Sequence, residues 1–201
     1  MAHLSEPEAL EPVEPEEEQE LEPPPVDPER LARRSAALAR IRAYGDPVLT
    51  TRTRTVERFD ASLLDEAHHM ASIMHDAMGI GLAAPQVGVL HRLLVYRVEP
   101  DTPVTVLVNP KLEWHGSEEE ILEEGCLSLP GVHVDVERPV HVRVHAQDEH
   151  GEKLMIEAAG LEARVIQHEM DHLDGVLILE RTSRDQRKEA MREMREAQRD
   201  A

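Results

Sequence analysis

The 201-residue sequence has one cysteine, one tryptophan, one phenylalanine and two tyrosines. A single cysteine excludes an internal disulfide, so Cys126 is either a small buried hydrophobe or a thiolate put to chemical use. With aromatics this scarce, the core has to be built from Leu, Val, Ile, Met and Ala. No apolar run approaches the ~18 to 20 residues of a membrane span. The start of the chain also lacks the basic-then-apolar pattern of a signal peptide, so a cytoplasmic protein without a membrane partner is expected. Lys and Arg number 22 against 41 Asp and Glu, which argues against binding DNA across a broad basic surface.

The acidity is unevenly spread. Residues 1–29 carry eleven acidic side chains, seven prolines and no Lys or Arg, a composition that cannot bury a core. Residues 1–27 therefore read as a disordered, acidic, Pro-rich extension. Residues 28–181 are enough for one domain, and 182–201 read as a charged C-terminal helix with Arg and Glu at three- and four-residue intervals.

Within the domain, a helix is expected from Pro28 to about Ala43, stopped by Gly45-Asp46-Pro47, with Val48 to Val56 extended. A second helix, capped by Asp60 or Ser62, runs to about Met78. Its His68, His69 and His75 read as surface residues, since adjacent histidines point to different faces. Strand patterns follow at Leu93–Tyr96, at 104–108 and at 112–115, with Asn109-Pro110 as a break. Alternation then marks Val132 to Val136 and Val140 to Val144, and 149–151 reads as a hairpin leading to a strand at 154–158.

Three stretches carry chemistry. In the first, Gln167-His168-Glu169-Met170-Asp171-His172, the H-E-x-x-H pattern lies within apolar residues of helical period: Leu161, Val165, Ile166, Met170, Leu173 and Val176. Such a helix sets His168 and His172 one turn apart on one face, where both can reach one metal ion, and leaves Glu169 free to handle protons. Taken alone, the pattern equally suits a solvated helix or a zinc endopeptidase. The latter needs a third ligand downstream, where 176–199 offers no histidine and leaves Glu180 as the acidic candidate. The second stretch, Gly79-Ile80-Gly81-Leu82-Ala83-Ala84-Pro85-Gln86-Val87-Gly88, has small residues that permit close backbone approach and one side-chain amide. Cys126 stands in the third, Glu124-Gly125-Cys126-Leu127-Ser128-Leu129-Pro130.

In this order the three stretches resemble the motifs of the peptide deformylase family, as does the entry segment Tyr44–Leu49, and the likeness spans about residues 38–180. The resemblance implies an α+β fold: a central H-E-x-x-H helix enclosed by antiparallel β-sheets, with an N-terminal helix and a C-terminal charged helix. It implies Cys126, His168 and His172 as metal ligands with a fourth position open, Fe(II) as the typical ion, and Zn(II), Ni(II) or Co(II) as substitutes. The partner would be an N-formylmethionyl nascent peptide, hydrolysed to release formate. Glu169 would act as general base, with the Gln86 amide and the Leu127 N–H as donors to the developing oxyanion. Ile80, Gly81 and Gly131 would pair with the peptide main chain, while Leu122, Leu161, Val165 and Ile80 would form the methionine pocket. Gly79 and a Glu124–Arg138 pair would support the site from behind. His133 stands where arginine is common, and Arg164 is polar where the pocket wall can be apolar. The C-terminal helix is the candidate for ribosome association.

Overall fold

The computed structural model describes residues 27–197. Apart from Asp27, the acidic extension expected over 1–27 lies outside the described residues, as do the last four of the chain. Asp27 caps helix α1 (Pro28–Leu38), its carboxylate accepting the Glu29 N–H at 3.0 Å. The helix stops about five residues before Ala43 because the chain beyond it bonds elsewhere. The Arg42 N–H donates to Gln86 O at 2.7 Å and the Tyr44 N–H to Ser128 O at 2.9 Å. Val48 to Thr50, expected to be extended, instead belong to a short 3-10 turn (Pro47–Thr50) capped by Asp46.

Helix α2 (Ala61–Asp76) starts on the Asp60 cap and buries Leu63, Ala67, Met70, Ile73 and Met74 along one face. Five strands then form an antiparallel sheet in the order β1-β2-β3-β6-β7: β1 (Gly81–Ala83), β2 (Leu93–Tyr96), β3 (Thr105–His115), β6 (His141–Gln147) and β7 (Lys153–Ala159). Strands β4 (Glu119–Cys126) and β5 (Leu129–Pro139) pair separately as a long hairpin. β3 is continuous where two strands were expected. Asn109 takes a left-handed φ of 53°, which asparagine tolerates, and the ladder slips between Val108 and Lys111. The Asn109 side chain holds this bulge by bonding the Val56 N–H at 2.8 Å and Val56 O at 2.9 Å.

All four residues of β2 are buried, because both faces of the sheet are covered here. Leu93 and Val95 face α2, joining Met70, Ile73 and Met74, whereas Leu94 and Tyr96 join Ala163, Val165, Ile166 and Leu173 of helix α3 (Gly160–Leu173). α3 is thus the central helix, packed against the large sheet and in contact with β5 of the hairpin. Its apolar stripe is narrower than the sequence implied, since Leu161 in the first turn is 54% exposed. At its other end Gly175 has φ +75°, and a Cβ there would lie 2.8 Å from the Thr50 carbonyl, so the turn out of α3 requires glycine.

A third cluster joins Leu49, Leu129, Val134 and Val136 to Leu177, Ile178 and Leu179. The charged helix α4 (Arg184–Ala197) docks on it through buried Ala190 with Met191 and Met194, and the Gln186 side-chain amide donates to Asp135 at 2.7 Å.

Candidate functional site

Three side chains from distant parts of the chain converge where α3 passes the end of the hairpin. Cys126 ends β4 at the turn into β5, while His168 and His172 are one helical turn apart on α3. One sulfur and one nitrogen from each imidazole all lie within 4.8 Å of one another, and His172 Nε2 is 3.3 Å from Cys126 Sγ. The two imidazoles meet edge to face at 5.1 Å between centroids. The 3.3 Å separation is close to the edge, about 3.3 to 3.6 Å, of a tetrahedron around zinc with ~2.3 Å sulfur and ~2.0 to 2.1 Å nitrogen bonds.

Glu124 aims one of these ligands. Its Oε2 accepts His168 Nδ1–H at 3.0 Å, which turns Nε2 of that ring toward the sulfur. Arg138 grips the same carboxylate bidentately at 2.7 and 2.9 Å and reaches Asp171 at 2.9 Å, which in turn holds Arg181 at 3.0 Å. Arg164 adds a further bond to Glu124 at 2.8 Å and also bonds Val136 O at 2.9 Å and Glu120 O at 2.7 Å. Burial alone would raise the pKa of Glu124, but the hydrogen bonds from His168 and Arg138 and the Arg138 charge hold it at about 2. For Cys126, burial again opposes ionisation, and His172 and His168 overcome it, holding the thiol well below its ordinary range. A thiolate next to two imidazoles is the donor set of a metal site.

Glu169 follows His168 directly and is almost fully buried, at 4% exposure. Burial keeps its pKa above that of an ordinary carboxylate against the pull of the two imidazoles, and Oε2 is shielded with no hydrogen-bond partner among the described residues. It has room because Gly81 lies opposite, where a Cβ would come within 2.9 Å of the Glu169 Cδ and Cγ. Gln86 is equally fixed. Its Oε1 accepts the Ala83 N–H at 2.8 Å, leaving Nε2 to face Cys126 Sγ at 3.7 Å and Ser128 Oγ at 3.3 Å.

A cavity of about 620 Å³ opens onto these groups. Gly79, Ile80, Gly81, Gln86, Glu124, Leu127, Gly131, Leu161, Val165 and Glu169, all singled out from the sequence, line it together with Cys126 and His168. Arg138, bonded to Glu124, and His172 are both buried and outside the lining. Leu122, expected in the pocket wall, is outside the lining and 43% exposed. It shares a face of β4 with Glu124 but sits two residues, about 7 Å, farther along the strand. β1 is the outermost strand of its sheet, so the backbone edge beside Ile80 and Gly81 is available to an extended peptide. The residues that sequence reasoning missed are Ser128, which holds Gln86, and Asp171, which anchors Arg138. The signal for Asp171 is its place between Glu169 and His172 on a helix that must bury that face. Arg34 and Leu38 of α1 and Met78 also line the cavity, with no sequence signal.

The family model described as polypeptide deformylase matches residues 38–188. A peptide deformylase of Picosynechococcus sp. is 46% identical over 140 residues, covering 68% of this chain and 75% of its own. One of Acidothermus cellulolyticus is 45% identical over 162 residues, covering 81% of this chain and 88% of its own. The crystal structure of a peptide deformylase from Synechococcus elongatus in complex with actinonin superposes with a TM-score of 0.74 at 44% identity, over 77% of this chain and 86% of that one.

Proposed function

Because the chain belongs to the polypeptide deformylase family, metal-dependent hydrolases that remove the N-formyl group from nascent peptides, we propose the following assignment of its residues to that reaction. Cys126, His168 and His172 hold the metal, a fit supported by the thiolate and two imidazoles within 4.8 Å of one another. Fe(II) is the proposed ion, with Zn(II), Ni(II) or Co(II) able to replace it, since thiolate and imidazole suit all four. When bound, the ion supplies a Lewis acid that polarises the formyl group and makes water a competent nucleophile near neutral pH.

The remaining work belongs to the protein. Glu169 takes the proton of the attacking water, whose oxygen bonds to the formyl carbon. As the carbon–nitrogen bond breaks, Glu169 returns that proton to the methionine nitrogen, giving formate and a free amine. The Glu169 Oε2, without a hydrogen-bond partner among the described residues, and the raised carboxyl pKa suit this double duty. The Gln86 Nε2–H and the Leu127 backbone N–H donate to the formyl oxygen as charge builds there, and the Ala83 bond stops the Gln86 amide from rotating away. Ile80, Gly81 and Gly131 pair with the peptide main chain, a contact that does not itself depend on the side chains beyond methionine. The methionine side chain lies against Ile80, Leu161 and Val165, and Arg164 closes this wall with its charge neutralised by Glu124. Gly79 keeps Leu127 close: a Cβ there would lie 2.8 Å from Leu127 Cδ1.

No helix among the described residues is long and apolar enough to cross a membrane. The cytoplasm is the proposed location, where translating ribosomes present the substrate. The exposed face of α4, with Arg184, Arg187, Arg192 and Arg195, is the proposed ribosome contact.

The convergence of Cys126, His168 and His172, next to a cavity that Cys126, His168 and Glu169 line, carries this reading. Its test combines metal analysis of anaerobically purified protein with formate release from a formyl-methionyl tripeptide. One metal per chain and formate equal to the new amine are expected, with Glu169→Ala keeping metal without turnover and Cys126→Ala losing metal. Cleavage of internal peptide bonds without formate release would assign the site to an endopeptidase instead.

A further inference from the structure

Helix α1 precedes almost all of the region shared with the family, which begins at residue 38, yet its Arg34 and Leu38 form part of the cavity wall. Arg34 is half-buried, and its Nε is shielded from solvent with no hydrogen-bond partner among the described residues. That shielding leaves the two terminal guanidinium nitrogens as the donors a ligand in the cavity could meet. Of the three carboxylates that line the cavity, Glu124 is already bonded to Arg138, Arg164 and His168, and among the described residues neither Glu123 nor Glu169 makes a hydrogen bond to the Arg34 Nε. α1 packs on α2, so Arg34 reaches the cavity together with Met78 from the end of α2, a wall separate from the α3 residues Leu161 and Val165.

Resting on the deformylation reading, we infer that Arg34, which precedes the residues the family model matches, forms a subsite that reads an acidic side chain of the substrate peptide just beyond the formylmethionine. A guanidinium recognises carboxylate by paired N–H donors, and a half-buried one is less screened than a surface one. The selectivity would come from a helix that the family region itself does not supply.

The test measures kcat/KM on C-terminally amidated peptides, formyl-Met-Xaa-Ala-Ser and formyl-Met-Ala-Xaa-Ser, with Glu, Gln or Lys at Xaa. For the full-length enzyme we expect Glu to exceed Gln roughly three- to tenfold at one of the two positions, less so at high salt. Arg34→Gln brings that ratio near one, Arg34→Lys keeps part of it, and Arg34→Glu inverts the preference toward Lys. Inversion is a readout that simple loosening of α1 would not give. A Glu/Gln ratio of one at both positions in the full-length enzyme, or a ratio that survives Arg34→Gln, overturns the inference. A uniform rise on every peptide in Arg34→Gln, reproduced by deleting residues 1–26 with their nine glutamates and no Lys or Arg, would overturn it too, assigning the guanidinium to the chain's own acidic segment. No formate from any peptide would remove the deformylation reading and the subsite with it.

Discussion

Replacing Glu124 by Gln keeps the shape of the side chain and removes its charge from between two arginines and a histidine. The cost can be worked in two ways. The carboxyl titrates at about 2 in the folded protein, against about 4.3 when unperturbed, and each unit is worth ~1.4 kcal/mol, giving about 3 kcal/mol. Independently, breaking one partner out of a buried ion pair costs ~3 to 5 kcal/mol, because Arg138 at 5% exposure would keep its charge without its principal acceptor. Guanidinium-chloride unfolding of metal-free protein at pH 7 should therefore show Glu124→Gln less stable by about 3 kcal/mol. The sign with pH follows from the depressed value. The stabilisation is complete above the ordinary carboxylate range and lost as pH falls from about 4.3 toward 2, so the gap between the two proteins should stay constant from pH 7 to 5 and close below 4. Metal affinity should fall ~10- to 100-fold as the His168 ring loses its orienting acceptor. A difference under 1 kcal/mol at pH 7, or one that widens between pH 5 and 3, would refute the reasoning.

Gly81→Ala places a methyl against the Glu169 carboxylate, so kcat should fall at least ~100-fold while metal content stays at one per chain, as metal analysis alongside a formate assay would show. Gln86→Ala removes an oxyanion donor and should lower kcat ~100- to 1,000-fold with a small change in KM, read from steady-state kinetics. An iron-loaded form should lose activity in air faster than a nickel-loaded one, because ferrous ion and the Cys126 thiolate both oxidise; equal decay of the two would count against an oxidation-sensitive ferrous site.

What the sequence disclosed depended on how local the cause was. His168, Glu169 and His172 could be placed on one helix because the 3.6-residue period fixes their faces. The strand at Leu93–Tyr96 was equally plain, being a short apolar run between turn signals. Asn109-Pro110 misled because a bulge and a chain break have the same composition. Only the bonds from the Asn109 side chain to Val56 decide for the bulge, and they span 53 residues. In the sequence Arg164 is only a polar residue in an expected pocket wall, and its burial is intelligible only with Glu124 and the carbonyls of Val136 and Glu120, which come from other elements. α4 carries too few apolar residues to announce its docking, yet Ala190, Met191 and Met194 suffice because β5 offers a matching apolar face. α1 gave no hint that it reaches the cavity, since nothing within eleven residues can show which neighbour a helix lies against.

X-ray absorption at the metal edge of anaerobically purified protein tests the central claim most directly. The account predicts one sulfur and two imidazole nitrogens on the metal, at ~2.3 Å and ~2.0 to 2.1 Å when the ion is zinc, with the sulfur contribution lost in Cys126→Ser. A shell of nitrogen and oxygen alone in the unaltered protein would contradict it.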